Sequence, residues 1–166
     1  MSPVCVLVGP MGAGKTTVGS LVAASLGVAF QDTDTIVEEW AGKPVQDIFV
    51  DDGEPRFREL ERAAVASALA SHDGVLALGG GAILAPETRS LLRDRVVVFL
   101  SVELADAAHR VGLGVGRPLL AVNPRATMKH LLDERRPLYE EVATVVVKTD
   151  GVPPDQVAAA VVAALP

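Results

Sequence analysis

Only one cysteine, Cys5, occurs in the 166 residues, which excludes an internal disulfide framework and suits a reducing cytoplasm. It sits in an apolar run, where a buried, inert thiol is expected rather than a reactive one. Aromatic residues are scarce too, at four Phe, one Tyr and one Trp, too few for a base-stacking platform. Basic residues are not in excess: the net charge is −6, so nucleic acid is not expected as a partner. The composition is 49% apolar, yet no apolar run nears the ~20 residues of a membrane span. The first residues lack the basic and apolar regions of a signal peptide, so no membrane association is expected. His72, His109 and His130 have no metal-like spacing with one another or with Cys5, and read as surface residues. No repeat, low-complexity segment or linker divides the chain, and its length fits a single domain over 1–166 with a sizeable core.

What is present is organised around Gly9-Pro10-Met11-Gly12-Ala13-Gly14-Lys15-Thr16. An apolar run, Val4–Val8, precedes it, and Val18, Leu21, Val22 and Leu26 follow at helical spacing. Strand, glycine loop and helix form the context in which G-x-x-x-x-G-K-[ST] becomes a phosphate site. The glycines let backbone N–H groups turn inward, and the helix start adds its dipole. Lys15 is expected to reach the β- and γ-phosphates, and Thr16 to offer its hydroxyl to Mg²⁺. Asp32, roughly 20 residues on, raises a dinucleotide site as a rival. The glycine order G-x-x-G-x-G and the Lys-Thr pair decide against it.

Further along, Val28–Phe30 reads as a second strand leading into Gln31-Asp32-Thr33-Asp34. Short helices over Thr35–Ala41 and from Pro44 are closed by Gly42 and by Asp51-Asp52-Gly53. A long helix runs from Glu54 to about Ser71, with Phe57, Leu60, Ala64, Ala68 and Leu69 on its inner face. Val75–Leu78 is a strand ending in Gly79-Gly80-Gly81. A helix over Pro86–Arg93, a strand over Val96–Leu100 and a helix over Glu103–Arg110 follow. The glycine-alternating stretch Val111–Arg117 suits neither helix nor strand and reads as a mobile loop. Pro124–Arg135 is expected to be helical, Val142–Lys148 a fifth strand and Asp155–Leu165 a closing helix. Continuous apolar strands separated by helices predict a three-layer α/β domain with a parallel sheet covered on both faces.

Asp32 and Asp34 fall at the carboxyl end of the second strand, the edge where open parallel sheets bind ligands. Two residues apart on an extended stretch, they would point the same way. One can stand near Mg²⁺ through water while the other orients an attacking hydroxyl. Alternatively, Asp34 is a helix cap for the segment at Thr35. Gly79–Gly81 fit either close backbone approach to a ligand or a tight strand-to-helix turn. Arg58 and Glu61, one helical turn apart, are either a surface ion pair or an arginine held in place for a ligand. Arg117 is either a solvated loop residue or a lid arginine that closes over phosphate.

Together, Gly9-x-x-Gly-x-Gly-Lys-Thr16, Asp32-Thr-Asp34, Gly53-Glu-x-x-Phe57-Arg58-x-x-Glu61, Gly79-Gly-Gly81, Arg117-Pro-Leu-Leu120 and Arg135-x-Pro137-Leu-Tyr139 closely resemble the shikimate kinase family, from Val4 to about Pro154. The resemblance implies a nucleoside-monophosphate-kinase-like fold with five parallel strands in the order 2-3-1-4-5. It also implies transfer of the γ-phosphate of ATP to the 3-hydroxyl of shikimate, a step toward chorismate and the aromatic amino acids. By position, Asp34, Lys15 and Arg117 would be catalytic. ATP would meet Gly12, Ala13, Gly14, Lys15, Thr16, Thr17, Arg110, Arg117 and Pro154, with adenine held between Arg110 and the loop at Pro153 and Pro154. Shikimate would meet Asp34, Arg58, Gly79, Gly80, Gly81 and Arg135, against an apolar wall of Val45, Phe49, Phe57 and Leu119. Thr16, and Asp32 through water, would hold Mg²⁺. The helical region of about 34–61 would bind the acceptor, 111–123 would be the lid, and the protein would be a cytoplasmic monomer with small-molecule substrates alone.

The runner-up is a related small-molecule kinase, such as a gluconate or nucleotide kinase, which would not be expected to combine Asp32-Thr-Asp34 with Gly79–Gly81 and Arg58. A GTPase switch is disfavoured because Val147 precedes Lys148-Thr149-Asp150 where N-K-x-D needs Asn, and no apolar strand leads into Asp51-Asp52-Gly53. A non-catalytic ATP-binding regulator fits poorly with intact Lys15, Asp34 and Arg117.

Overall fold

A computed structural model of the chain describes residues 2–111 and 124–166. Strand β1 (Cys5–Val8) leads through the glycine loop into helix α1 (Lys15–Leu26), and β2 (Phe30–Asp32) into α2 (Thr33–Ala41). Helices α3 (Val45–Asp52) and α4 (Glu54–Ser71) precede β3 (Val75–Ala77). A 3₁₀ turn over Ala82–Leu84 and α5 (Pro86–Leu91) lead to β4 (Val97–Ser101) and α6 (Leu104–Val111). The chain ends with α7 (Pro124–Val142), β5 (Val145–Lys148) and α8 (Pro154–Ala164). All strand pairs are parallel, and the order is β2-β3-β1-β4-β5, as the resemblance implied.

The period-2 alternation of β1 divides the interior in two. Cys5 and Leu7 join a cluster with Val18 and Val22 of α1 and Val157 and Val161 of α8. Val6 and Val8 join another with Ile36, Ile48, Ala64, Val65 and Leu69 from α2, α3 and α4. A fully buried Val or Leu side chain is worth roughly 1.5–3 kcal/mol, so the central strand is anchored from both sides. Cys5 belongs to this core, and burial pushes its thiol up to about 11, as expected of an inert cysteine.

Several boundaries move, each for a local reason. β2 begins only at Phe30, because Val28 donates its N–H to Ala23 at the end of α1. Helix α2 starts at Thr33 because its cap is Asp32, whose Oδ1 accepts from the N–H of Asp34 at 2.9 Å. Asp34 is therefore not the cap; it lies in the first helical turn, and the two acids do not share an extended stretch. Helix α7 runs seven residues beyond Arg135, through Pro137. A proline ring removes one helical N–H, but the far end is held by buried Tyr139 and by a 3.2 Å ion pair between Arg89 and Glu141. Strand β5 starts late because Val142 still belongs to α7 and the next turn is pinned by Thr144, bonded to Val97 through backbone and hydroxyl. Of the histidines, His109 and His130 are exposed, but His72 is half-buried, with Nε2 3.1 Å from the Val75 carbonyl. No helix of the described residues is long and apolar enough to cross a membrane.

Candidate active site

At the carboxyl edge of the sheet lie two adjoining cavities, of about 570 and 290 Å³. The larger is built on the loop between β1 and α1. Gly9 passes so close to β4 that a Cβ there would stand 2.6 Å from the Leu100 carbonyl oxygen. Gly14, the N-cap of α1, is left-handed at φ 88°, a conformation that favours glycine. This geometry leaves the first N–H groups of α1 facing the cavity, a ready-made anion site. The Lys15 ammonium donates to the carbonyls of Gly9 (2.7 Å) and Pro10 (3.1 Å), folded back on its own loop.

Beside the loop, the Thr16 hydroxyl donates to Asp32 Oδ2 at 3.1 Å, while the other Asp32 oxygen caps α2. A hydroxyl and a carboxylate at the cavity wall are hard oxygen donors of the kind Mg²⁺ takes alongside phosphate oxygens. No cluster of three or more His, Cys, Asp or Glu able to hold a metal occurs among the described residues. On the opposite wall, Arg110 donates to the Gly12 carbonyl (2.9 Å), the Thr149 hydroxyl (3.0 Å) and the Thr149 carbonyl (2.9 Å). It thereby ties α6 to the glycine loop and to the turn before Pro154, which lines the same cavity.

The smaller cavity is walled by Val45, Phe49 and Phe57, with the two phenyl rings 4.8 Å apart. Arg58 enters it bonded to Glu61 at 2.9 Å and to Glu54 at 3.3 Å, with its guanidinium 5.2 Å from the Phe57 ring centre. Glu61 is only 3% exposed, so this is a positioned arginine rather than a solvated surface pair. Two of the three glycines, Gly79 and Gly81, explain the fit. A Cβ at Gly81 would meet the Arg58 guanidinium at 2.4 Å, and one at Gly79 would meet Asp34 Oδ1 at 2.7 Å and Glu61 Oε2 at 2.9 Å. A Cβ at Gly80 would meet nothing nearer than 3.6 Å. Gly81→Ala is therefore expected to leave stability nearly intact, since a flexible guanidinium can move, while raising the KM of the acceptor about tenfold. Thermal melting and steady-state kinetics check the two halves; an unchanged KM would mean that the Arg58 position is not needed.

Asp34 faces both cavities. Burial, then the charges of Asp32 and Glu61, push its carboxyl up to about 7 against the opposing pull of Lys15. Burial also raises Glu61, with Arg58 opposing. Because the folded pKa of Asp34 lies above its unfolded value of 3.8, the contribution of this group to stability is greatest below about pH 4 and is lost as the pH rises through about 7. One pKa unit is about 1.4 kcal/mol. Asp34→Asn is thus expected to stabilise the fold by roughly 2–4 kcal/mol at pH 8 and hardly at all near pH 4. Denaturant melts at both pH values test this, and equal shifts at the two would remove the ionisation as the cause.

Two buried atoms lack a hydrogen-bond partner among the described residues, Asp34 Oδ1 and Arg135 Nε, and both residues line the smaller cavity. One accepts and the other donates with positive charge, so the cavity suits a ligand with a hydroxyl at one end and an anionic group at the other. Arg136 faces away, half-exposed and 3.8 Å from Glu103. Arg117 and Leu119, like the lid apart from Val111, lie outside the described residues. Sequence reasoning assigned no role to Met11, which lines both cavities, or to Glu38, whose Oε2 accepts from the Val45 N–H. It also passed over Thr33, whose hydroxyl accepts from the Gly79 N–H, and Thr149. None of these carries a local sequence signal, since each is defined by its contacts across the fold.

The family model described as shikimate kinase matches residues 11–166. A shikimate kinase of Salinispora arenicola is 66% identical over 165 residues, 99% of either chain. That of Salinispora tropica is 64% identical over 166 residues, covering 100% of this chain and 99% of its own. Among solved structures, the shikimate kinase from Acinetobacter baumannii in complex with shikimate superposes with a TM-score of 0.92 at 37% identity, over 98% of this chain and 91% of that one.

Proposed function

The chain belongs to the shikimate kinase family, and from that membership we propose that it transfers the γ-phosphate of ATP to the 3-hydroxyl of shikimate, giving shikimate 3-phosphate and ADP. The observation that carries this reading is the pair of unpartnered buried atoms, Asp34 Oδ1 and Arg135 Nε, in the cavity next to the phosphate loop. Shikimate offers what each lacks, a hydroxyl for the carboxylate and a carboxylate for the guanidinium.

In this reading ATP fills the larger cavity, its phosphates on the N–H groups of Gly12, Ala13, Gly14, Lys15, Thr16 and Thr17, with adenine against Arg110 and Pro154. Lys15 leaves the carbonyls of Gly9 and Pro10 for the β- and γ-phosphates. Shikimate fills the smaller cavity, its carboxylate shared by Arg58 and Arg135, its ring against Gly79, Gly80 and Gly81 on one side and Val45, Phe49 and Phe57 on the other. Asp34 accepts a hydrogen bond from the 3-hydroxyl and takes its proton as the oxygen attacks the γ-phosphorus and the bond to the β-phosphate oxygen breaks. A positioned base of this kind supplies about 10²–10⁴-fold. Arg117 belongs to the lid over 111–123 and meets the transferring phosphoryl group, while 34–61 forms the acceptor-binding region of a single domain. Thr16 and, through water, Asp32 would hold Mg²⁺, which when bound would offset the negative charge of the β- and γ-phosphates. The protein acts as a cytoplasmic monomer on small molecules. A coupled ADP-release assay offering shikimate, gluconate and nucleoside monophosphates tests the reading; turnover with gluconate or a nucleoside monophosphate but not shikimate would overturn it.

A further inference from the structure

Tyr139 is 1% exposed, and its ring stacks on Phe99 of β4 with centroids 5.1 Å apart. A tyrosine so placed must find a partner for its hydroxyl, and any nearby carbonyl would serve a purely structural role. Here the hydroxyl donates to the carbonyl of Gly80, and the Arg135 guanidinium lies close enough for its charge to act on the phenol. Gly80 and Arg135 both line the smaller cavity, and a Cβ on Gly80 would come within 3.8 Å of Arg135 Nη1. A guanidinium can only donate and a carbonyl can only accept. The phenol proton is therefore committed to the Gly80 carbonyl, and only the lone pairs of the phenol oxygen are left for a donor such as Arg135.

Arg135 and Tyr139 meet because α7 continues through Pro137, so that residues four apart share a face. Burial pushes the phenol up to about 12, so the hydroxyl keeps the proton it donates. With the Phe99 ring fixing Tyr139 to the sheet, its hydroxyl fixes how the Gly80 peptide is turned, with the Arg135 guanidinium beside it.

We infer that Tyr139 is a positioning residue for the acceptor, its hydroxyl holding Arg135 and the Gly80 backbone in the geometry that binds the acceptor carboxylate and ring. This rests on the proposed reaction, and assaying the unmutated protein with shikimate tests that reaction separately. Tyr139→Phe keeps the ring and its stacking and removes only the oxygen. The shikimate KM is expected to rise about tenfold, with the ATP KM within about twofold and kcat within about threefold of the unmutated protein, because hydrogen bonds to charged groups are the stronger ones. Val65→Ala, in the core of α4 away from both cavities, is expected to lower the melting temperature without changing either KM, which separates positioning from a general loss of stability. A shikimate KM within twofold of the unmutated value, or a parallel rise in both KM values, would overturn the inference. Tyr139 is also the single tyrosine, so 3-fluorotyrosine labelling of the intact protein gives one ¹⁹F resonance. Titration with shikimate alone is expected to shift it saturably; a resonance that stays in place while shikimate binds would count against the coupling.

Discussion

Asp34→Asn is expected to lower kcat by roughly 10²-fold or more while leaving ATP affinity close to that of the unmutated protein. Asparagine keeps the shape and one acceptor oxygen, so the acceptor hydroxyl can still be bound, but it cannot take a proton. The raised pKa of about 7 also places the titration of this group within the working range. In the free enzyme Asp34 must lose its proton to act as base, so kcat/KM for shikimate should rise with pH through about 7 and then level off. Asp34→Asn should lose that rising limb along with the rate. Steady-state kinetics between about pH 5 and 9, about two units to either side of the midpoint, together with equilibrium binding of an ATP analogue, provide the measurement. Turnover near the unmutated rate, or a rising limb that survives in the variant, would remove Asp34 from proton transfer.

Arg135→Ala should raise the shikimate KM by about 10²-fold or abolish measurable activity, with little change in ATP binding. Adjacent helical residues differ by about 100° in direction, so Arg135 and Arg136 cannot both face the cavity. Arg135 is 5% exposed, whereas Arg136 is half-exposed beside Glu103. A guanidinium binds a carboxylate through two parallel hydrogen bonds, and removing one partner of a desolvated charge pair costs about 2–5 kcal/mol. Arg136→Ala should behave nearly as the unmutated protein, because exposed ion pairs contribute little. Arg135→Lys should recover only part of the loss, since an ammonium cannot reproduce the planar fork. Shikimate and ATP KM values for the three variants decide the matter; the reverse pattern, with Arg136 essential and Arg135 dispensable, would sink the assignment.

The glycine loop and the parallel sheet were legible because each rests on local chemistry: glycines at fixed spacing, apolar runs of strand length, a helix stop such as Gly42; the strand order came only from the family resemblance. The Arg58–Glu61 pair was legible as a spacing, but whether it was solvated depended on how deeply α4 buries Glu61, which no spacing reveals. A helix cap was the alternative reading of Asp34, because it immediately precedes Thr35. In the fold Asp32 reaches the first turn instead, releasing Asp34 to face both cavities. Pro137 looked like a helix end because proline lacks the donor a helix interior uses. The contacts that carry α7 past it, at Tyr139 and Glu141, come from Phe99 of β4, Gly80 and Arg89 of α5, about 40 to 60 residues away in sequence. Met11, Thr33 and Thr149 acquire meaning only from such long-range contacts.

Met11, Asp34, Gly79 and Gly80 line both cavities, so the two chambers adjoin directly at these residues. A single compound carrying a nucleotide-like end and a carboxylated ring could therefore occupy both with a very short tether. Joining two weak binders in this way makes the second contact intramolecular, with an effective concentration reaching the millimolar range for short linkers. The gain vanishes when the tether cannot span the gap, and it declines again as a longer one lets the ends wander. Tether length in a homologous series of such compounds would thus act as a ruler for the separation between the two chambers in solution.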